Sequence, residues 1–224
     1  MISDSTIQAL ITEEFKLRNL GVTHQYLEIL DMYYDDNQPR IERIDREGTD
    51  GIIIAYLPIV DEQFYLAVYI DEVQQEIFNI GTESKNKVVF RATSETYSMD
   101  DLACFTNLPV LTKWNKGELK PNKKVGNKFS CIEIEPNPEP DSVEEKLTNL
   151  LKLLVQDKVG IAELVANANG YIQIYMDFHN GNQLLGGLSL SKAHVQRMAE
   201  LNLGFDVDVA AWGEPLTEMG NFDT

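Results

Sequence analysis

The residues best suited to chemistry in this sequence surround a tryptophan, Trp114, that lies within a run of lysines. Between residues 113 and 128 the acid Glu118 stands among six lysines: Lys113, Lys116, Lys120, Lys123, Lys124 and Lys128. An indole can stack on a planar group while a nearby ammonium meets the negative charge of that group. We therefore take Lys113, Trp114, Lys116, Gly117 and Glu118 as a candidate binding site for a small anion. The alternative interpretation is a solvated loop that Trp114 anchors by packing.

The turn that follows Trp114 carries two further expectations. Gly117 is the residue type that a turn needs where the backbone angle φ is positive, so a bulky side chain there should destabilise the turn. Glu118 is predicted to hold the loop through a local ion pair with one of the lysines, which contributes little if the pair is exposed.

Residues that could support catalysis or metal binding do not form recognisable motifs. The three histidines, His24, His179 and His194, fall in unrelated segments without metal-ligand spacing, and we expect the latter two to be exposed. Cys104 and Cys131 have apolar neighbours and are predicted to be buried free thiols, which favours a cytoplasmic location. We predict no catalytic residue, no metal site and no cofactor.

The net charge of the chain limits the kinds of binding partner that it favours. The formal net charge is −17, which disfavours duplex nucleic acid and anionic membranes, since both need a surplus of lysine and arginine. No apolar run approaches the roughly 18 residues that span a bilayer. An acidic surface of this kind serves solubility and can also bind a basic protein.

The first 87 residues predict an α+β domain. Residues 5–20 have helical periodicity, with Ser5 or Asp4 as the N-terminal cap and Gly21 as the end. Strands are then predicted near 26–34, 40–46, 51–59, 63–71, 75–80 and 86–96. In the fourth of these, Phe64, Leu66, Val68 and Ile70 alternate with more polar residues, so they should face a core.

Residues 88–224 predict a second α+β domain. Ser98, Ser142 and Ser191 each precede a helical pattern as an N-cap, and the last helix should bury Val195, Met198 and Leu201. Residues 161–168 form a further short helical pattern. Residues 171–178 alternate as a strand, and Asn180–Gly181 suggests a hairpin with a return arm over 184–191. Each domain is expected to be a mainly antiparallel sheet with helices on one face.

Part of the second domain resembles a known family. The turn Trp114, Lys116, Gly117 and Glu118, the capped helices and the closing segment Leu203–Trp212 are similar to the domain-of-unknown-function family 4279. The resemblance covers about Val88 to Trp212. It implies a bacterial protein and an α+β fold, but no reaction.

These observations predict a bacterial cytoplasmic protein that is not an enzyme and acts as an acidic protein-binding module, such as an immunity protein that inhibits a basic toxin. One alternative is a sensor of small anionic ligands that uses Trp114 and the lysine loop. The other is a hydrolase that uses carboxylates, which are abundant throughout the chain.

Overall fold

The computed structural model describes residues 2–48, 50–119, 125–181 and 187–216, and it divides the chain into two compact units. The first unit contains Met1–Lys85, Met176–Gly186 and Val209–Thr224. The second contains Asn86–Tyr175 and Gly187–Asp208. From sequence, residues 1–87 were assigned to the first domain. The first unit includes two late segments of the chain in addition to Met1–Lys85, and Asn86 and Lys87 belong to the second unit.

The first unit begins with two helices, α1 (Asp4–Leu17) and α2 (Gly21–Ile29). The helix predicted over 5–20 is confirmed as α1, but Gly21 does not end it. Helix α1 ends at Leu17, where the C-cap residue Arg18 has a φ of 54°, and Gly21 begins α2. The strand predicted near 26–34 is wrong over residues 26–29. The turn between α1 and α2 is held by the buried carboxylate of Glu14. This carboxylate accepts hydrogen bonds from the Leu20 amide, at 3.0 Å, and from the Thr23 hydroxyl.

The strands of the first unit agree with most of the predicted segments. They are β1 (Tyr34–Asp35), β2 (Gln38–Pro39), β3 (Arg43–Asp45), β4 (Ile52–Pro58), β5 (Phe64–Asp71) and β6 (Glu76–Ser94). Successive strands from β3 to β6 pair antiparallel. The two strands predicted at 75–80 and 86–96 are a single strand, because the polar stretch between them keeps pairing with β5, as in Gly81 opposite Ala67.

The core of the first unit follows from the alternation in β5. Phe64, Leu66, Val68 and Ile70 are all buried and belong to the same cluster as residues of α1 such as Ile7. The prediction that one face of this sheet is covered by the first helix is confirmed.

The remaining elements follow β6 along the chain. They are α3 (Met99–Cys104), β7 (Thr112–Trp114), β8 (Ser130–Ile134), α4 (Val143–Leu154), a 3₁₀ turn (Val155–Asp157), α5 (Lys158–Asn167), β9 (Asn169–His179), α6 (Lys192–Glu200) and β10 (Phe205–Trp212). Strands β6, β9 and β10 each have residues in both units. Strand β8 pairs antiparallel with β6 and β7, and β9 lies between β6 and β10. The α+β fold class is confirmed. Among the described residues, no helix is long and apolar enough to cross a membrane.

Strand β9 has its predicted faces but not its predicted partner. Ile172, Ile174, Met176 and Phe178 are buried, as the alternation indicates. The Ile172 amide bonds to Gly204 and the Asn180 amide to Trp212, so β9 and β10 advance in the same direction. The predicted return arm lies partly outside the described residues, at 184–186, and residues 187–191 are not strand. A parallel pair needs a long crossover, which here contains α6.

The capped helices begin where the sequence indicates. Ser98 and Ser191 form reciprocal capping boxes, and the Ser142 hydroxyl accepts the Glu145 amide at 3.2 Å. The sequence predicted that Val195 is buried on the inner face of α6, but its side chain is 51% exposed. His194 is buried in its place, because its Nε2 lies 2.8 Å from the Thr148 hydroxyl of α4.

Candidate functional site

A polar face of the second unit's sheet gathers charged and aromatic side chains. In β6, Val88, Phe90 and Ala92 enter the core, so Lys87 and Arg91 lie on the opposite face. The register pairs Arg91 with Glu133 of β8. It also pairs Trp114 of β7 with Cys131, two residues from Glu133 on the same strand, and paired residues share a face. Three different strands thus contribute to one surface.

A cavity of about 230 Å³ opens on this face. It is lined by Arg91, Trp114, Val125, Gly126, Asn127, Lys128 and Phe129. The guanidinium carbon of Arg91 lies 5.5 Å from the centre of the Trp114 ring and 5.6 Å from that of Phe129. A cation that contacts two aromatic rings is held by their negative faces.

The polar contacts of Arg91 fix the position of its guanidinium. Its Nη1 donates to the Tyr175 hydroxyl at 2.8 Å, and its Nε lies 3.9 Å from the Glu133 carboxylate. That Nε and the indole Nε1 of Trp114 are shielded from water, and neither has a hydrogen-bond partner among the described residues. A buried donor without an acceptor costs about 1–3 kcal/mol, and because both atoms are shielded they do not face the open cavity.

Burial sets the protonation of the groups beside Arg91. Desolvation raises the pKa of the Cys131 thiol to about 12, and it raises the pKa of Tyr175 to about 12. It also raises the pKa of Glu135 above its usual value. Glu133 is nearly inaccessible and accepts a hydrogen bond from the Lys87 ammonium at 2.8 Å. At neutral pH the thiol and the phenol are therefore neutral, and Glu133 is engaged in an ion pair.

The comparisons with known proteins give one match. A family model described as domain of unknown function (DUF4279) matches residues 82–212, which is more than half of the chain. The chain belongs to this family. No curated protein and no solved structure matches it.

The DUF4279 match confirms the resemblance inferred from Val88 to Trp212 and extends it to residue 82, within β6. It ends at the last residue of β10. Arg91, Trp114 and Phe129 all lie inside it, so the cavity is part of the DUF4279 region.

The two lysines of the site predicted from sequence lie apart from the cavity. The Lys113 ammonium bonds to Asp100 at 2.8 Å, and the Lys116 ammonium bonds to Glu95 at 3.1 Å. Both pairs are exposed, so they contribute little stability. Of the five residues predicted as a site, Trp114 is the one that lines the cavity.

Gly117 and Glu118 shape the loop that leads to the cavity. Gly117 has a φ of +85°, as the predicted turn requires. The Glu118 carboxylate accepts the amide of Asn115 at 2.9 Å, where an ion pair with a lysine was predicted. Residues 115–119 and 125–128 form the two sides of a hairpin, joined by the Gly117 amide to the Asn127 carbonyl at 2.8 Å. Lys120, Lys123 and Lys124 lie outside the described residues.

Of the cavity residues that the predicted site did not include, Arg91 and Phe129 are the two that contact each other across the cavity wall. Arg91 is the one basic residue in the apolar run from Val88 to Ala92, and a charged residue at one position of a buried strand is a usable signal. Phe129 has no comparable signal, because it begins an ordinary strand pattern. Their proximity depends on the pairing of β6 with β8, which local patterns do not specify.

Three expectations about reactive residues are wrong, and one of them is the exposure of His194, which is buried beside Thr148. Cys104 is exposed at the end of α3, whereas Cys131 is buried as predicted, and both are free. His179 is buried, not exposed: its ring stacks on Phe64 with centroids 4.7 Å apart, and its Nε2 donates to the Glu214 carbonyl at 2.7 Å. Its Nδ1 has no partner within the described chain. No group of three or more histidines, cysteines or acids in the described residues could hold a metal ion.

Proposed function

We propose that the second unit binds a small ligand that carries a negative group on a flat body. The observation that supports this is the Arg91 guanidinium, which lies against the rings of Trp114 and Phe129 in the wall of a cavity. The site is the one expected for a sensor built on Trp114, but its cation is Arg91 in place of Lys113 or Lys116.

The charge of Arg91 favours an anionic ligand. Its guanidinium lines the cavity, and carboxylate or phosphate oxygens are strong acceptors for guanidinium N–H groups. A guanidinium binds such groups through two parallel hydrogen bonds, which a lysine ammonium does not provide.

The volume favours a small ligand. Sites for drug-sized ligands usually enclose about 300–1,000 Å³. The cavity here has about 230 Å³, which suits a single ring with one charged substituent better than a dinucleotide.

The chemistry of the neighbouring groups favours binding over catalysis. Because the pKa of Cys131 is raised to about 12, its sulfur is a protonated thiol at neutral pH and a poor nucleophile. Glu133 is buried and paired with Lys87, which leaves it badly placed to exchange protons with a substrate. These features support a module that presents a surface or holds a ligand.

The test is a ligand titration followed by calorimetry and by tryptophan emission, in a Trp212→Phe background that leaves Trp114 as the reporter. Nucleotides, sugar phosphates and aromatic carboxylates serve as probes. We expect Arg91→Gln to weaken any binding at least tenfold, because a hydrogen bond to a charged group contributes about 1.5–3 kcal/mol.

Lys113→Gln is the matched control, since it removes one positive charge beside Trp114 but outside the cavity. It should change affinity less than twofold. If no probe binds, or if Lys113→Gln and Arg91→Gln weaken binding equally, the proposed site is wrong.

A second candidate is the acidic protein-binding module, including an immunity-type inhibitor of a basic toxin in the bacterial cytoplasm. It is supported by the net charge of −17 and by the exposed carboxylates Asp206 and Asp208 on β10. An exposed free thiol at Cys104 fits a reducing compartment. The two functions need different surfaces and are tested separately.

For the second candidate, a basic protein encoded beside this gene would be expressed with it, and the association rate measured as salt is raised. We expect the rate to fall at least about tenfold between low and high salt, because opposite charges steer the encounter. Asp206→Asn should slow association, whereas Glu163→Gln on α5 should not. A rate that is independent of salt would refute this candidate.

A further inference from the structure

We infer that the Arg91 cavity selects a planar monoanion, an aromatic carboxylate, over a phosphate dianion. This inference rests on the proposed function and specifies its ligand. Two features carry it: the charges around the cavity and its flat aromatic walls.

The charges around the cavity leave room for one negative charge. Glu133 lies 2.8 Å from the Lys87 ammonium and 3.9 Å from Arg91 Nε. Glu135 lies 3.8 Å from Lys87. Among the described residues near the cavity, Lys87, Arg91 and Lys128 therefore stand against these two carboxylates, and the surplus is a single positive charge.

A second negative charge on the ligand would face a buried carboxylate. Glu133 is 4% exposed, so water screens it poorly from anything bound at Arg91. A monoanion takes up the surplus charge of the site, whereas a dianion adds a charge that the site repels. This contrast favours a carboxylate over a phosphate on the same ring.

The cavity walls favour an aromatic ligand. The Trp114 and Phe129 rings border the space beside the guanidinium at 5.5 Å and 5.6 Å from its carbon, so a flat ring attached to the anionic group can stack there.

The experiment compares four probes by calorimetry at about pH 7.5, where a phosphate monoester is mostly dianionic because its second pKa is near 6. Benzoate and phenyl phosphate share a ring and differ in charge. Cyclohexanecarboxylate has the charge of benzoate without the flat ring, and benzamide has its shape without the charge. We expect benzoate to bind at least tenfold more tightly than each of the other three.

Variants test the cause of the preference. Glu133→Gln removes the buried negative charge, so the ratio of benzoate to phenyl phosphate affinity should fall at least fivefold. Since that change also breaks the ion pair with Lys87, Glu135→Gln is the second variant and should lower the ratio in the same direction. Arg91→Lys keeps the charge but loses the planar fork and should weaken benzoate at least tenfold.

The outcomes separate this inference from the proposed function. Phenyl phosphate binding as tightly as benzoate, or a ratio that neither glutamate variant changes, overturns the selectivity and leaves anion binding in place. Binding of nucleotides with no binding of benzoate overturns the inference alone. Failure of every anionic probe overturns both.

Discussion

Substituting Gly126 by alanine should destabilise the second unit more than the same change at Gly117, although Gly117 has the unusual backbone angle. A Cβ at Gly126 would lie 2.7 Å from the carbonyl oxygen of Gly117, across the hairpin that borders the cavity. A Cβ at Gly117 would meet no atom within 4 Å, so that change is opposed by the φ of +85° alone.

The expected magnitudes follow from these two situations. A non-glycine residue with positive φ costs about 1–2 kcal/mol, which we assign to Gly117→Ala. At Gly126 the new Cβ would press against a backbone oxygen, so rotating a side chain cannot relieve the contact. Overpacking of this kind costs about 1–3 kcal/mol. Relief by opening the hairpin would break the bonds between Gly117, Glu118 and Asn127, each contributing about 0.5–1.5 kcal/mol. We expect a total of about 2–3 kcal/mol.

The assay is urea unfolding followed by Trp114 emission in the Trp212→Phe background. Gly187→Ala is the control, because its Cβ would meet nothing within 4 Å and its φ is not left-handed. It should change stability by less than about 0.5 kcal/mol. Gly117→Asn should cost less than Gly117→Ala, since asparagine tolerates positive φ, and Gly117→Val should cost the most of the three.

The reasoning would be refuted if Gly126→Ala proved as stable as the control, or if Gly117→Ala were the more damaging change. The first result would mean that the hairpin adjusts freely at Gly126. The second would mean that backbone conformation outweighs the close approach of the two strands.

Three other predictions concern residues outside the cavity wall. In the native protein Cys104 should react with a thiol reagent within minutes and Cys131 only after unfolding, because Cys131 is buried and its pKa is raised to about 12. If Cys104→Ser protein were labelled before unfolding, this prediction would be contradicted. The pKa of Asp157 is lowered mainly by the hydrogen bond from the Asn107 amide, so its carboxylate stabilises the fold above the unfolded pKa of about 3.9, and that contribution is lost as pH falls through the lower folded pKa. Asp157→Asn keeps a capping oxygen but removes the charge, so it should lower stability slightly at neutral pH, and urea unfolding at about pH 2 should show the difference vanish. In α6, Met198→Ala should cost about 2–3 kcal/mol and Val195→Ala less than about 0.5 kcal/mol, since Met198 is 5% exposed and Val195 51%; equal unfolding midpoints would contradict the helix orientation.

Local patterns in the sequence predicted the elements whose determinants lie close together along the chain. The serine caps at Ser98, Ser142 and Ser191 mark real helix starts, because a cap is formed with residues three positions away. Alternation identified the buried faces of β5 and β9, since one face of each strand enters a core.

The features that the sequence did not reveal depend on contacts between distant segments. Helix α2 was missed because Thr23 is held by Glu14 of the preceding helix. His179 was expected to be exposed beside a turn, but Glu214, 35 residues later, covers it. The cavity needs Arg91 beside Glu133, a pairing 42 residues apart that no local period encodes.

The first unit is built from three segments that are far apart in the chain, and this affects how it folds during synthesis. A ribosome makes Met1–Lys85 before the second unit, and the segment Val209–Thr224 that belongs with Met1–Lys85 follows the second unit. The earlier residues therefore wait until the second unit has been made before their own unit is complete, and such distant closure slows folding. Cutting the gene near residue 87 to produce two independent fragments would leave the N-terminal fragment without His179 and its covering segment, exposing the Phe64 ring on which that histidine stacks.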